Sequence, residues 1–213
     1  MNIKLKILIV DDHAVVRQGL KHILAQEWAG ALFAEAQNVA QLLPLFRKEE
    51  WDVVLLDINM PGRSGFDVLR DLRQEKPHIP VLVLSGHPED QYAVRVLKAG
   101  ASGYLPKETA PDELIKAIRK VLEGGKYVSA TLAEQLAFGL GRVDEKAPHE
   151  TLSDREYQVL CLLASGKTTT QIADELMLSV KTISTFRTRV LAKMNMKTNA
   201  ELTHYAIQNN LVN

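Results

Sequence analysis

Residues 53–65 read VVLLDINMPGRSG. The four apolar positions 53–56 leave neither side of an extended chain polar, which describes a strand covered on both faces. The run stops at Asp57, and Pro61-Gly62 supply a turn that lets the following loop fold over the strand end. Similar runs lie on either side: 7–10 (ILIV) leads into Asp11-Asp12, 31–34 is short and apolar, 81–84 (VLVL) leads into Ser85, and Tyr104-Leu105 precede Pro106-Lys107. Between the runs, 14–26, 39–48, 65–75, 90–99 and 111–123 have helical spacing, and Gly100 reads as a left-handed helix terminator. Alternating strands and helices of this kind predict an α/β, doubly wound, five-stranded parallel sheet with helices on both faces.

Sites on such sheets lie at the carboxyl ends of the strands. There the sequence places Asp11, Asp12, Asp57 and Ser85, with Lys107 just beyond the last strand. Three carboxylates at one edge repel one another unless a cation holds them. A small hard cation such as Mg²⁺ takes carboxylates, waters and phosphate oxygens. A lysine beside them adds a second positive charge for a phosphate. The set suits phosphoryl transfer onto a carboxylate.

From residue 152 the pattern changes. Ser153 is an N-cap with Glu156 three positions on, and Tyr157, Leu160, Cys161 and Ala164 follow at helical spacing until Gly166. Thr169 opens a short second helix to Leu176, and Ser179 caps a third over 180–194 whose apolar stripe is Ile183, Phe186, Val190, Leu191 and Met194. A short helix, a tight turn and a longer helix make a helix-turn-helix, the second member of which enters the major groove of DNA. A last helix, 200–208, is expected to leave Leu202, Tyr205 and Ala206 partly exposed if only three helices pack against it. Residues 139–150 (GLGRVDEKAPHE) have the composition of a linker. The expected organisation is therefore 1–125 for the sheet domain, 126–150 for a helix and linker, and 151–213 for a small all-α domain.

Charge agrees once it is read by position. The chain carries 26 Lys+Arg and 26 Asp+Glu, which argues against a uniformly basic nucleic-acid binder. Residues 176–200, however, hold Lys181, Arg187, Arg189, Lys193 and Lys197 and no acid. One cysteine, Cys161, permits no internal disulfide and falls in a helix stripe, which fits a core thiol in a reducing cytoplasm. The apolar run at 7–10 is too short for a signal or spanning segment. The six histidines show no metal-ligand spacing.

The motifs ILIVDDH, VVLLDINMPGRSG, VLVLS and AGASGYLPK, in this order, resemble the receiver domain of bacterial two-component response regulators over residues 5–125. LSDREYQVLCLLASGKT, QIADEL, LSVKTISTFRTRVLAKM and KTNAEL resemble the LuxR-type helix-turn-helix of NarL/FixJ-family regulators over residues 150–210. The resemblance implies a flavodoxin-like receiver followed by a DNA reader. It makes Asp57 the phosphoacceptor, places Mg²⁺ on Asp11, Asp12, Asp57 and the backbone carbonyl of Asn59, and sets Lys107 on the phosphoryl group. Ser85 becomes the hydroxyl that moves to a phosphate oxygen, and Tyr104 the aromatic that rotates inward behind it. Asn59 and His87 are expected to tune water access. In many receivers a cis proline bond follows the lysine; here Glu108 follows, and a cis bond is not expected.

In the reader, Lys181, Ser184, Thr185 and Thr188 are expected at or near bases, and Arg187, Arg189 and Lys193 on phosphates, with scaffold pairing of Arg189 to Glu156 or Glu175 as an equal alternative. Phe186 stands where many relatives carry His or Tyr. The last helix matches the family's dimer helix. The implied partners are a histidine kinase, promoter double-stranded DNA, a second copy of the chain when phosphorylated and RNA polymerase, with no membrane. A classical enzyme is not expected, beyond receiver-catalysed phosphorylation and dephosphorylation of the domain itself. Two other classes remain open. A small-molecule phosphohydrolase shares the carboxylate chemistry, although its second acid normally stands two residues after the nucleophile. An adaptor using the carboxyl-terminal helices for protein contacts would lack salt-dependent DNA binding. Nucleotide binding is excluded by the absence of a glycine-rich turn after Val10.

Overall fold

The computed structural model describes residues 4–60, 62–86, 89–109, 111–139 and 147–212. Pro61 of the expected turn, His87 and residues 140–146 of the expected linker lie outside the described residues. The chain divides into two compact units, Met1–Ala137 and Phe138–Asn213.

The first unit alternates β1 (Lys6–Val10), α1 (Ala14–Glu27), β2 (Leu32–Ala36), α2 (Val39–Lys48), β3 (Val53–Asp57), α3 (Gly65–Glu75), β4 (Val81–Ser85), α4 (Glu89–Lys98), β5 (Gly103–Pro106) and α5 (Pro111–Leu122), then α6 (Ala130–Gly139). All strands are parallel, in the order β2-β1-β3-β4-β5. Alternate residues point to opposite faces. Ile7, Ile9, Val53, Leu55, Leu82 and Leu84 therefore share one face and form a buried cluster with Leu24 of α1 and Leu114, Ala117, Ile118 and Val121 of α5. The other set, Leu8, Val10, Val54 and Leu56, is equally buried, as the unbroken apolar runs require.

The sequence expectation ended β2 at Ala34, where the apolar run stops; the strand instead continues through Glu35 to Ala36, paired with Val10. Glu35 is tolerated there because Lys21 Nζ and Arg17 Nε of α1 lie 2.6 and 3.1 Å from its carboxylate. The Lys21 contact, aided by Arg17 and opposed by burial, holds that carboxyl below its ordinary range.

Residues 126–129, expected within a helix and linker segment, lie along the sheet edge. Tyr127 bridges to Gly103, its N–H donates to Ser102 O at 2.8 Å, and its hydroxyl donates to Glu113 at 2.6 Å. Burial, with the neighbouring Glu113 carboxylate, pushes that hydroxyl up to about 12.

One glycine fixes the loop beyond Asp57. A Cβ on Gly65 would stand 2.3 Å from Ile58 O and 2.6 Å from Ile58 Cα, both backbone atoms. Gly65→Ala is expected to lower stability by about 1–3 kcal/mol, the range for overpacking a core, measured by urea denaturation.

In the second unit a 3-10 turn (Pro148–Thr151) precedes α7 (Asp154–Ala164), α8 (Thr169–Glu175), α9 (Val180–Lys193) and α10 (Asn199–Gln208). Each start is capped: Ser153 and Glu156 form a capping box on α7, Thr168 and Gln171 another on α8, and Ser179 and Thr198 accept from the Thr182 and Glu201 N–H groups. Met177, at φ 50°, makes the tight turn between α8 and α9. Cys161 is buried, as its place in the stripe predicts.

The expectation for the last helix needs correction. Leu202 and Ala206 are fully buried, since α10 packs on α7, and the half-buried Tyr205 is tied by its hydroxyl to His149 Nδ1 at 2.8 Å. The apolar residue that α10 leaves exposed is Ile207. In the α9 stripe, Ile183, Val190 and Met194 are buried, while Phe186 and Leu191 are only partly so.

Candidate functional site

The strand order reverses between β1 and β3, and at such a switch point the helices leave on opposite sides and open a crevice. Register pairs Val10 with Leu56, so Asp11 and Asp57 emerge side by side at the rim of that crevice. Both are almost fully buried.

Lys107 reaches them across β4 from the end of β5. Its N–H donates to Ser85 O at 2.7 Å, and its Nζ stands 2.7 Å from Asp57 Oδ2 and 2.7 Å from Asp11 Oδ2. The other oxygen of Asp57 accepts from Asn59 N–H at 2.8 Å. Burial is the largest influence on Asp57 and pushes its carboxyl up; the Lys107 ammonium and the Asn59 N–H only partly reverse this, and Asp11 adds to it. Burial pulls Lys107 down, but Asp11 and Asp57 outweigh it and hold the ammonium above its ordinary value. The charged carboxylate is therefore under-compensated, and a further positive charge or a change of its covalent state relieves it.

Asp11, Asp12, His13 and Asp57 each offer one ligand atom, all within 4.8 Å of one another. Asp11 Oδ2 and Asp12 Oδ1 are buried atoms that accept no hydrogen bond; their near neighbours, at 2.7 and 2.8 Å, are Lys107 Nζ and His13 Nδ1. An oxygen-rich set whose buried carboxylate oxygens crowd one another at the rim fits a small divalent cation. Sequence reasoning missed His13 because histidine-to-histidine spacing carries no signal here; its adjacency to Asp11-Asp12 is the clue.

Ser85, at the end of β4, is fully buried, and Asn59 Nδ2 donates to its Oγ at 3.2 Å. Tyr104 is fully buried on β5, paired with Val83, which is an inward position. Asp57, Asp11, Asp12, Asn59, Ser85 and Lys107 thus converge at one strand-end crevice, with Tyr104 inside the sheet domain beside them. The Lys107–Glu108 peptide is trans.

In the second unit Lys181, Ser184, Thr185, Thr188 and Arg189 are exposed on α9. Thr185 and Thr188 donate their hydroxyl protons to the carbonyls of Lys181 and Ser184, at 2.9 and 3.0 Å. In that state each side chain offers acceptor lone pairs and a methyl group. Arg187 Nε donates to Asn199 Oδ1 at 2.6 Å, which ties α9 to α10.

Lys193, expected on a phosphate, lies 2.6 Å from Glu156 Oε2, so here it braces α9 against α7. Glu175 takes Lys167 instead. The two acids weighed as partners of Arg189 are therefore matched to lysines. Burial raises Glu156, but Lys193 and the Ser153 N–H and hydroxyl outweigh it, so its carboxyl stays below the ordinary range. A depressed carboxyl contributes stability that is present above the ordinary glutamate pKa and lost as pH falls through the depressed value. Glu156→Gln should flatten that dependence. Glu156→Ala should cost about 1–2 kcal/mol by removing the box and a partly exposed ion pair, read from hydrogen exchange of the α7 amides.

A switch-point crevice with a lysine-bridged aspartate pair, in a chain that also carries a helix-turn-helix unit, defines a signal-receiving module joined to a reader module. Two family models agree: the response regulator receiver domain over residues 7–119 and the luxR family of bacterial regulatory proteins over residues 150–206. The chain is 34% identical to the response regulator UvrY of Escherichia coli K12 over 98% of its length and 96% of that protein. It is 35% identical to the response regulator GacA of Pseudomonas aeruginosa, over 98% of each chain. RcsB of Salmonella enterica serovar Typhimurium, solved bound to promoter rprA in the presence of the phosphomimetic BeF3−, matches with a TM-score of 0.65 at 28% identity, covering 95% of this chain and 98% of that one. The chain belongs to the two-component response regulators with a LuxR-type carboxyl-terminal domain.

Proposed function

We propose that this protein is a phosphorylation-dependent, DNA-binding transcriptional regulator that works in the cytoplasm. Residues 1–125 receive the signal and 151–213 read DNA. A carboxylate oxygen of Asp57 attacks the phosphorus of a phosphohistidine on a histidine kinase; the new O–P bond forms as the N–P bond breaks, and the pair leaves on the histidine nitrogen. Asp11, Asp12, Asp57 and the backbone carbonyl of Asn59 hold Mg²⁺, which when bound supplies charge for the phosphoryl oxygens. Lys107 moves from the two carboxylates to a phosphoryl oxygen. Ser85 then exchanges its Asn59 contact for that phosphoryl group; Tyr104, expected to rotate inward behind it, is already fully buried before phosphorylation and so stays in place.

The observation that carries this reading is the Lys107 ammonium held equally by Asp57 and Asp11, a cation already poised where a phosphoryl group would add negative charge. On α9, Lys181, Ser184, Thr185 and Thr188 meet base edges, with Arg187, Arg189 and Lys193 directed to phosphates, Lys193 after release from Glu156. RcsB bound to a promoter is the precedent among the relatives. The phosphorylated chain acts as a homodimer on paired half-sites and meets RNA polymerase there; no membrane is involved, and among the described residues no helix is long and apolar enough to cross one.

Footprinting of DNA selected from a random pool tests the reader. Two protected half-sites about one helical turn apart, roughly 10 base pairs, are expected. Protein capture without sequence-selective, salt-dependent DNA binding would point to the adaptor instead.

A further inference from the structure

Lys181, Ser184, Thr185 and Thr188 are exposed, and at 3.6 residues per turn their positions fall within one arc of about 100° on α9. None of the four is Arg, Asn or Gln, the side chains that read guanine or adenine through two hydrogen bonds at once. Arg187 is half-buried and tied by Nε to Asn199 Oδ1 at 2.6 Å. Of the four, Lys181 is the obligate donor, at the amino-terminal end of the face. Thr185 and Thr188 direct their hydroxyl protons to the carbonyls of Lys181 and Ser184, at 2.9 and 3.0 Å. A threonine hydroxyl carries one proton, so each Oγ1 is left as an acceptor only. The remainder of each exposed side chain is its lone pairs and its γ-methyl.

In the major groove guanine presents two acceptors, N7 and O6, which repel the lone pairs of an acceptor-only hydroxyl. Cytosine presents a donor but no methyl. Thymine presents a methyl, and its adenine partner adds the N6 donor beside it. We propose that Thr185 and Thr188 read the 5-methyl groups of thymine, so that the base pairs facing them in each half-site are A·T and guanine is rejected there. The inference rests on reading α9 as the helix that meets base edges, and it adds which base two of its residues select. Thr185 and Thr188 are three residues apart, about 4.5 Å of helix rise against about 3.4 Å between base pairs, so each meets its own pair.

The full chain, treated with acetyl phosphate and Mg²⁺, is titrated with DNA selected from a random pool, each half-site thymine being exchanged in turn for deoxyuridine, which lacks only the methyl. Two thymines per half-site are expected at which this exchange weakens wild-type binding about fourfold, the effect of one buried methyl-sized group. Thr185→Ser keeps the hydroxyl and drops the methyl, and the deoxyuridine penalty at one of these thymines should vanish. Thr185→Val keeps a methyl and drops the hydroxyl, and there the penalty should remain. The same two exchanges at Thr188 should act on the other thymine. All of them fall on exposed positions and leave the buried Ile183 and Val190 in place. Half-sites without a deoxyuridine-sensitive thymine, a penalty that survives in both serine variants, or one that is lost in the valine variants overturns the thymine reading and leaves the DNA reader standing. A wild type that binds every sequence of the pool alike, or none, overturns the reader itself.

Discussion

Asp57→Asn, incubated with acetyl phosphate and Mg²⁺, takes up no phosphoryl group, whereas the wild type gains one that is labile to hydroxylamine. The expected loss is complete, because Asp57 is the proposed acceptor, a crevice carboxylate with one oxygen on Lys107 and the other on the Asn59 N–H. Asp11 is equally buried and held in the same way, its Oδ1 by the His13 N–H and its Oδ2 beside Lys107, so it is the receiver motif around Asp57, not its contacts, that singles out the acceptor. Intact mass spectrometry reads the outcome; a phosphoryl group on Asp57→Asn would show that another side chain is the acceptor.

The same substitution has a thermodynamic signature. The Asp57 carboxyl is pushed up in the folded protein, chiefly by burial. A raised carboxyl contributes stability that is complete below the unfolded pKa and is lost as pH rises through the folded value. Once pH has risen through that value, the ionised Asp57 therefore destabilises the sheet domain. Asp57→Asn should melt higher than the wild type in the absence of divalent cations, and added cation should narrow the difference by stabilising the wild type.

The second large effect falls on α9. Lys181→Ala with Arg189→Ala removes two exposed cations from a helix whose buried side, Ile183 and Val190, is untouched. The fold should persist, with unchanged far-ultraviolet circular dichroism. DNA affinity at low salt should fall about ten- to a hundredfold, and the slope of log affinity against log salt should become shallower by about one for each phosphate that a protomer no longer neutralises. An unchanged slope would place those cations off the DNA. Thr185→Ala should act differently. It deletes an acceptor and a methyl group and should relax base preference while leaving the salt slope alone.

The first unit is legible in the sequence because its strands are apolar on both sides and each ends in a residue of different chemistry. Asp11, Asp57, Ser85 and Lys107 follow strand ends, and parallel strands bring strand ends together. That logic locates the crevice from the sequence and fails where contacts depend on distance along the chain or on helix packing. Glu156 and Lys193 are 37 residues apart, and only the packing of α7 on α9 joins them, so a lysine that reads as open to phosphate is braced. Leu202 and Ala206 read as surplus to a three-helix core because the sequence does not say that α10 lies on α7. The extension of β2 through Glu35 depends on two cations from α1, in a neighbouring element of the fold. His13 escapes notice because its partners are carboxylates rather than other histidines.

Chemistry at Asp57 should govern DNA binding by the carboxyl-terminal unit. The affinity of the full chain for a selected promoter fragment, measured by fluorescence anisotropy before and after acetyl phosphate with divalent cation, reads this coupling when Asp57→Asn is run in parallel. Tighter binding by the wild type alone is expected, with a matching shift from monomer to dimer. Equal affinity before and after phosphorylation, or an equal change in Asp57→Asn, would show that DNA binding is not controlled through Asp57.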